Sequence, residues 1–314
     1  MEGKRIGYID LAKGICMLLV VLGHFQELYG SRLFQDLSYT LSYIRLPLYF
    51  FLSGMFFRTY ASFRYFLTKK INHLLVPYLV FLVLGLFTVR NFPIWFLSCL
   101  FYSNMLFYCC KRIEAWWPGR YVLAASCMVL SVIGFFLPDG RGCDGQLYEQ
   151  VYYFGTAMTC LGFFYAGYAV NRYTGIVRSG VSSRIEYELL LMAVCAAVVA
   201  FVGWYYDYAD TGFRLNFYGY SIVGMYAAGL AGCIGILVLS RRLRYLPYVS
   251  FIGRYSIVVL LTHYPLMYYV DRLITDSAWL AIPLVLAAEV PVILVARRYF
   301  PYIFAQKELI PLDR

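Results

Sequence analysis

At 314 residues the chain is long enough for two soluble domains. Composition excludes them: 62% of residues are hydrophobic, 20% aromatic and only 14% charged, with a mean hydropathy of +0.66, which leaves too few polar side chains to cover a soluble surface. Lysine and arginine outnumber aspartate and glutamate by 27 to 17; a soluble chain with that excess would point to a polyanion, but in a membrane chain it belongs to loops held in the cytoplasm, so no nucleic acid is expected and the lipid bilayer is the first partner.

The expected fold is all-α, a polytopic integral membrane protein. A bilayer core of ~30 Å takes ~20 residues of helix, and apolar runs place ten spans at 11–29, 43–57, 74–90, 92–110, 121–137, 151–170, 187–206, 219–239, 250–270 and 278–296. The N-terminus passes from Met1 through Lys4 and Arg5 into the first run with no small-residue cleavage site, as a retained span does. Between the second and third runs, residues 58–73 mix basic and aromatic side chains, a pattern suited to a helix lying in the cytoplasmic interface. Gly- and Asp-rich 138–146 marks an extracytoplasmic turn. All of the nine cysteines but Cys143 lie within or beside apolar runs and read as packing residues, with no disulfide framework. No internal repeat or long linker interrupts the chain, so a single transmembrane domain, 1–314, is expected, with no soluble extra domain.

The charges test this scheme independently. Ten spans put both termini on one side and alternate the loops. The N-terminus with Lys13, the loops 58–73, 111–120, 171–186 and 240–254 and the C-terminal tail then hold 21 of the lysines and arginines. The other side keeps 6: Arg32, Arg45, Arg90, Arg141, Arg214 and Arg272. That asymmetry makes both termini cytoplasmic.

Ionisable groups inside a span cost several kcal/mol and are functional candidates by default. The first span carries three. At 100° per residue Lys13 and His24 lie ~20° apart around the helix and Asp10 falls within ~40° of His24, so one face carries all of them and must look into protein or water. Lys13 and His24 are separated by a rise of ~16 Å, so their tasks differ; Asp10 sits at i,i+3 from Lys13 and would orient it. The ninth span runs from Ile252 through Ser256 to His263, and counted from Phe251 as one helix it brings His263 to a depth of ~18–20 Å, level with His24. The third histidine, His73, sits at the interface.

An imidazole takes and returns a proton near neutrality, which suits deprotonating a hydroxyl in a buried site. The plainer reading is that each histidine only bonds a neighbouring helix. Glu289, in the last span, either accepts a proton or neutralises an arginine. Arg45, at the start of the second span, either binds an anion or snorkels to the outer interface. Arg241, Arg242 and Arg244 read as topogenic, and Trp95 as part of an interfacial belt or of the packing.

The run Tyr8-Ile-Asp10-Leu-Ala-Lys13-Gly14 through Gly23-His24 resembles the first-helix signature of the membrane-bound acyltransferase-3 family. Leu46-Pro47 to Ser53-Gly54, Leu74-Leu-Val-Pro77-Tyr78, Trp95-Phe-Leu-Ser98 and Ile252-Gly253-Arg-Tyr-Ser256 to His263 follow in the family's order. The resemblance implies a ten-helix enzyme of the bacterial plasma membrane. Its donor would be acyl-CoA, usually acetyl-CoA, and its acceptor a hydroxyl of a sugar or surface glycan, with no metal. His24 matches the leading catalytic histidine, with His263 and Asp10 beside it in the catalytic group. Lys13, Lys69, Lys70 and His73 are the donor-binding candidates; Arg45, Ser53, Trp95 and Glu289 are the acceptor-binding ones. The chain departs from the pattern at Lys13, usually arginine, at Lys70 and His73, often arginines, and at Arg45, near which many members have a histidine. Two other readings of the polar spans stay open: a proton-coupled transporter, which would normally show two related halves, and a non-catalytic subunit of polysaccharide export.

Overall fold

The computed structural model describes residues 6–28, 32–60, 62–87, 93–138, 149–174, 185–206, 213–219, 221–275 and 277–312. The turn expected at 138–146, from residue 139 on, lies outside the described residues, as do Cys143, Lys4, Arg5, Arg90, Arg141, Arg178, Arg184 and Arg314. The fold is helical: α1 (Gly7–Leu28), α2 (Arg32–Met55), α3 (Phe63–Lys70), a π-helical turn (Ile71–Leu75), α4 (Val76–Phe87), α5 (Trp95–Trp116), α6 (Val122–Phe136), α7 (Glu149–Thr159), α8 (Leu161–Thr174), α9 (Ile185–Tyr205), α10 (Ile222–Leu243), α11 (Pro247–Arg254), α12 (Ser256–Leu273) and α13 (Ala278–Tyr299). Each expected span overlaps one of these helices or a consecutive pair. Among the described residues, five stretches are long and apolar enough to cross a bilayer: Gly7–Phe25, Phe63–Gly85, Ile185–Tyr205, Ile222–Leu243 and Trp279–Tyr299.

The chain forms two compact units. The first comprises Met1–Phe56, Gly162–Phe213 and Phe217–Ser256. Its central contact is between α1 and α2, where Ile9, Ala12 and Cys16 pack with Leu48, Phe51, Leu52 and Met55. The early part of α1 meets the late part of α2, so the two run antiparallel. Backbones approach closely at bare glycines, as apolar helices do when no large side chain intervenes. A side chain at Gly54 would strike the Phe164 carbonyl, and one at Gly167 the Phe51 carbonyl, which interlocks α2 and α8. Asn171 donates to the Met55 carbonyl at 2.7 Å and closes the end of α2.

Helix α2 begins at Arg32, well before the apolar run starts at 43. Its first half carries Ser38, Thr40 and Ser42, buried polar residues that interrupt the apolar pattern. Thr40 and Ser42 are satisfied on the helix's own carbonyls, at Asp36 (2.9 Å) and Tyr39 (2.6 Å), the way hydroxyls are accommodated inside a helix.

The second unit comprises Phe57–Leu161, Arg214–Asn216 and Ile257–Arg314. Here the separate interfacial helix expected over 58–73 is corrected. From Phe63 the chain is helical without interruption into α4, and the 23-residue stretch Phe63–Gly85 spans ~35 Å at ~1.5 Å per residue. The reason is local. Pro77 has no N–H for the carbonyl of His73 and its ring would press on that carbonyl; the π-helical turn at Ile71–Leu75 widens the coil at this point, so the helix continues where it would otherwise break.

Candidate active site

Helix α1 is unbroken from Gly7 to Leu28, so Asp10, Lys13 and His24 share a face as their spacing requires. All three are half-buried. Two glycines fix the lower part of this face. A side chain at Gly14 would run into the Val249 carbonyl, and one at Gly253 into the Asp10 carbonyl and the Gly14 amide, so α1 and α11 cross backbone to backbone beside Asp10 and Lys13. Arg241, in the last turn of α10, stands over the ring of Tyr8 at 6.0 Å, within cation–π range. Its neighbour Arg242 reaches Glu188 of α9 at 3.9 Å instead.

Arg45 packs higher on α1, on the side that carries Gly23, about 100° around the helix from His24. The Cys16 thiol donates to the Arg45 carbonyl at 2.7 Å, which anchors α2 at the level of Cys16. Side chains lean toward the N-terminus of their own helix, and because α2 is antiparallel to α1 the Arg45 side chain leans up α1 toward His24. Its guanidinium fills the space that a side chain at Gly23 would occupy. With α2 starting at Arg32, Arg45 lies mid-helix, half-buried against α1. A ring able to move a proton and a cation with a planar donor fork, the type of group that stabilises a developing oxyanion, thus stand at adjacent positions along α1. Ser53, also half-buried, lies further along α2 beside the Gly54 crossing.

The remaining candidates lie in the second unit. His263 is fully buried, and its Nδ1 is 2.7 Å from the Val259 carbonyl; a carbonyl only accepts, so Nδ1 carries the hydrogen. The helix containing it does not run on from Phe251. It breaks at Tyr255, between α11 and α12, because α11 is held against α1 at Gly253. The depth count for His263 assumed one continuous helix and loses that premise. Beside His263, the Thr262 hydroxyl is shared between the Val258 carbonyl (2.9 Å) and the carboxyl of Glu289 (2.9 and 3.1 Å). Glu289 is fully buried, and among the described residues its partner is this hydroxyl rather than an arginine. Trp95 begins α5 with its ring 6.2 Å from that of Tyr153.

Lys69, Lys70 and His73 cluster at the junction of α3 and the π-helical turn. Lys69 stands over Tyr60 at 5.2 Å and Lys70 over Phe66 at 5.7 Å, while His73 Nδ1 donates to the Lys69 carbonyl at 2.8 Å. Between them Asn72 clasps the C-terminal segment. Its amide donates to the Ile310 carbonyl and its oxygen accepts from the Ile310 amide, both at 2.8 Å. Sequence reasoning missed this clasp and Thr262, which carry no motif signal. It also missed the parts played by Gly14, Gly23 and Gly253, although the quoted motifs contain all three.

The family model described as an acyltransferase domain, acyltransferase-3, matches residues 6–90 and 82–298. No curated protein and no solved structure matches the chain.

Proposed function

The chain belongs to the acyltransferase-3 family and is a membrane acyltransferase, and on that premise we propose that it moves an acyl group, acetyl first of all, from acyl-CoA to a hydroxyl of a sugar or surface glycan. The observation carrying this reading is the polar face of α1, with the Arg45 guanidinium packed on Gly23, the residue before His24 in the chain.

In the proposed reaction the neutral His24 imidazole takes the proton from the acceptor hydroxyl as its oxygen attacks the thioester carbonyl. Arg45 stabilises the negative charge that gathers on the carbonyl oxygen. The C–S bond then breaks, and the departing thiolate of coenzyme A receives the proton back from the imidazolium. Asp10 orients Lys13, which attracts the anionic donor. Both termini face the cytoplasm in this reading, with ten crossings in a bacterial plasma membrane; the lysine and arginine asymmetry supports that orientation. The closed side-chain environment of His263 favours a positioning task over contact with the reacting atoms.

Membranes containing the protein are incubated with acetyl-CoA labelled in the acetyl group. Label fixed covalently in a glycan supports the proposal. Label or sugar that accumulates unmodified inside vesicles contradicts it and indicates transport.

A further inference from the structure

The sequence presents residues 58–73 and 111–120 as two unconnected basic stretches, both counted on the cytoplasmic side. Within the second unit the fold makes them opposite walls of one cleft of about 510 Å³, inside the ~300–1,000 Å³ range of small-molecule sites. One wall is Tyr60, from the segment before α3. The other is the end of α5, with Tyr108, Lys111, Arg112 and Glu114, and Gly119 of the following turn closes it.

The lining has a definite chemical character. Tyr108 is stacked on Phe66, ring centroids 4.9 Å apart at 23°, and Tyr60 packs on Tyr65 at 5.0 Å, so both rings are held in place by an aromatic cluster. Lys69 adds a cation over the Tyr60 ring, at 5.2 Å. Lys111, paired with Glu114, and Arg112, exposed in the cleft wall, supply its cations. Fixed aromatic faces beside a guanidinium and an ammonium fit a planar base joined to phosphates, while the Glu114 carboxylate can accept from an amino group or a ribose hydroxyl.

We infer that this cleft binds the adenosine bisphosphate end of acyl-CoA, with Arg112 and Lys111 on the phosphates and Tyr60 and Tyr108 flanking the base. The inference rests on acyl-CoA being the donor. Within the second unit it adds a binding site on α5 to the candidates Lys69, Lys70 and His73.

The test uses the full-length protein in nanodiscs of neutral lipid, with adenosine 3′,5′-bisphosphate and unacylated coenzyme A as separate probes, measured by calorimetry. Arg112→Gln and the double variant Lys111→Gln/Arg112→Gln are compared with wild type and with Arg120→Gln, whose cation lies over Tyr121 outside the cleft lining. Loss of charge-assisted bonds to phosphate weakens both probes by about tenfold in the cleft variants and leaves the Arg120→Gln protein like wild type; in acetyl transfer the same loss is read in KM. The surface location of Arg112 keeps the fold intact, which a thermal transition checks. Equal binding of both probes by wild type and the cleft variants overturns the site while the donor reading stands. Wild type that binds no coenzyme A overturns both. If inorganic phosphate displaces the bisphosphate at equal concentration, or the cleft variants lose only the affinity for vesicles of anionic phospholipid, the cleft holds a bare anion or a lipid headgroup and the inference fails.

Discussion

The guanidinium of Arg45 rests where a side chain at Gly23 would project, one residue before His24. Only the absence of a side chain at position 23 lets the cation reach this level of α1. A methyl group there meets the far end of a flexible side chain rather than backbone, so Gly23→Ala folds normally and displaces the guanidinium. Acetyl transfer by Gly23→Ala and by Arg45→Ala falls by about 10²-fold, the usual loss for one oxyanion-stabilising donor. Arg45→Lys keeps the charge without the fork and falls between these variants and wild type. Measured kcat/KM beside thermal stability checks the order.

Gly14 and Gly253 set a contrasting case, because each faces backbone of the opposite helix. Neither the Val249 carbonyl nor the Asp10 carbonyl can step aside without moving α11 from α1. Gly14→Ala and Gly253→Ala therefore lower stability by ~1–3 kcal/mol, the scale of overpacking a close interface. A lowered thermal transition in both, alongside an unchanged one in Gly23→Ala, is the expected pattern.

The pair Thr262 and Glu289 ties α12 to α13 next to His263. Thr262→Val removes the hydroxyl and leaves a buried carboxyl without its partner, which costs ~1–2 kcal/mol. The double variant Thr262→Val/Glu289→Leu recovers most of that loss, since no polar group is then stranded. A double-mutant cycle on thermal stability measures the coupling.

Asn72 gives the C-terminal segment both of its hydrogen bonds at Ile310, and Phe304 adds an edge-to-face contact with Phe81 at 5.4 Å. Asn72→Ala removes both bonds and frees the segment while the Phe304 contact remains. Hydrogen exchange at the Ile310 amide then quickens by about tenfold or more, as it does when a local closing interaction of ~1.4 kcal/mol is lost.

The first helix was readable from the sequence because its 3.6-residue period survives in one uninterrupted coil: Asp10, Lys13 and His24 come out on a single face. Apolar runs located the helices for the same reason, that hydrocarbon demands them. What failed depends on contacts distant in sequence. The break at Tyr255 is imposed by Gly253 lying on α1, and no residue near 255 announces it. The early start of α2 was hidden by serine and threonine hydroxyls that look polar in a hydropathy window yet are satisfied internally. An apolar run that begins at 43 puts Arg45 at a helix end, whereas α2 begins at Arg32; its neighbour Gly23 is named by the motif but not by any local rule. The meeting of Tyr60 with Lys111 and Arg112 depends on packing in the same way.

Everything proposed for the reaction depends on proton transfer at position 24. The most direct measurement is acetyl transfer from labelled acetyl-CoA to the glycan acceptor by His24→Ala and His24→Gln proteins, inserted at wild-type abundance and with the wild-type thermal transition. Loss of the general base lowers the rate by about 10²–10⁴-fold in both while coenzyme A still binds. Transfer at the wild-type rate by either variant would show that His24 does not carry the proton and that the chemistry lies elsewhere.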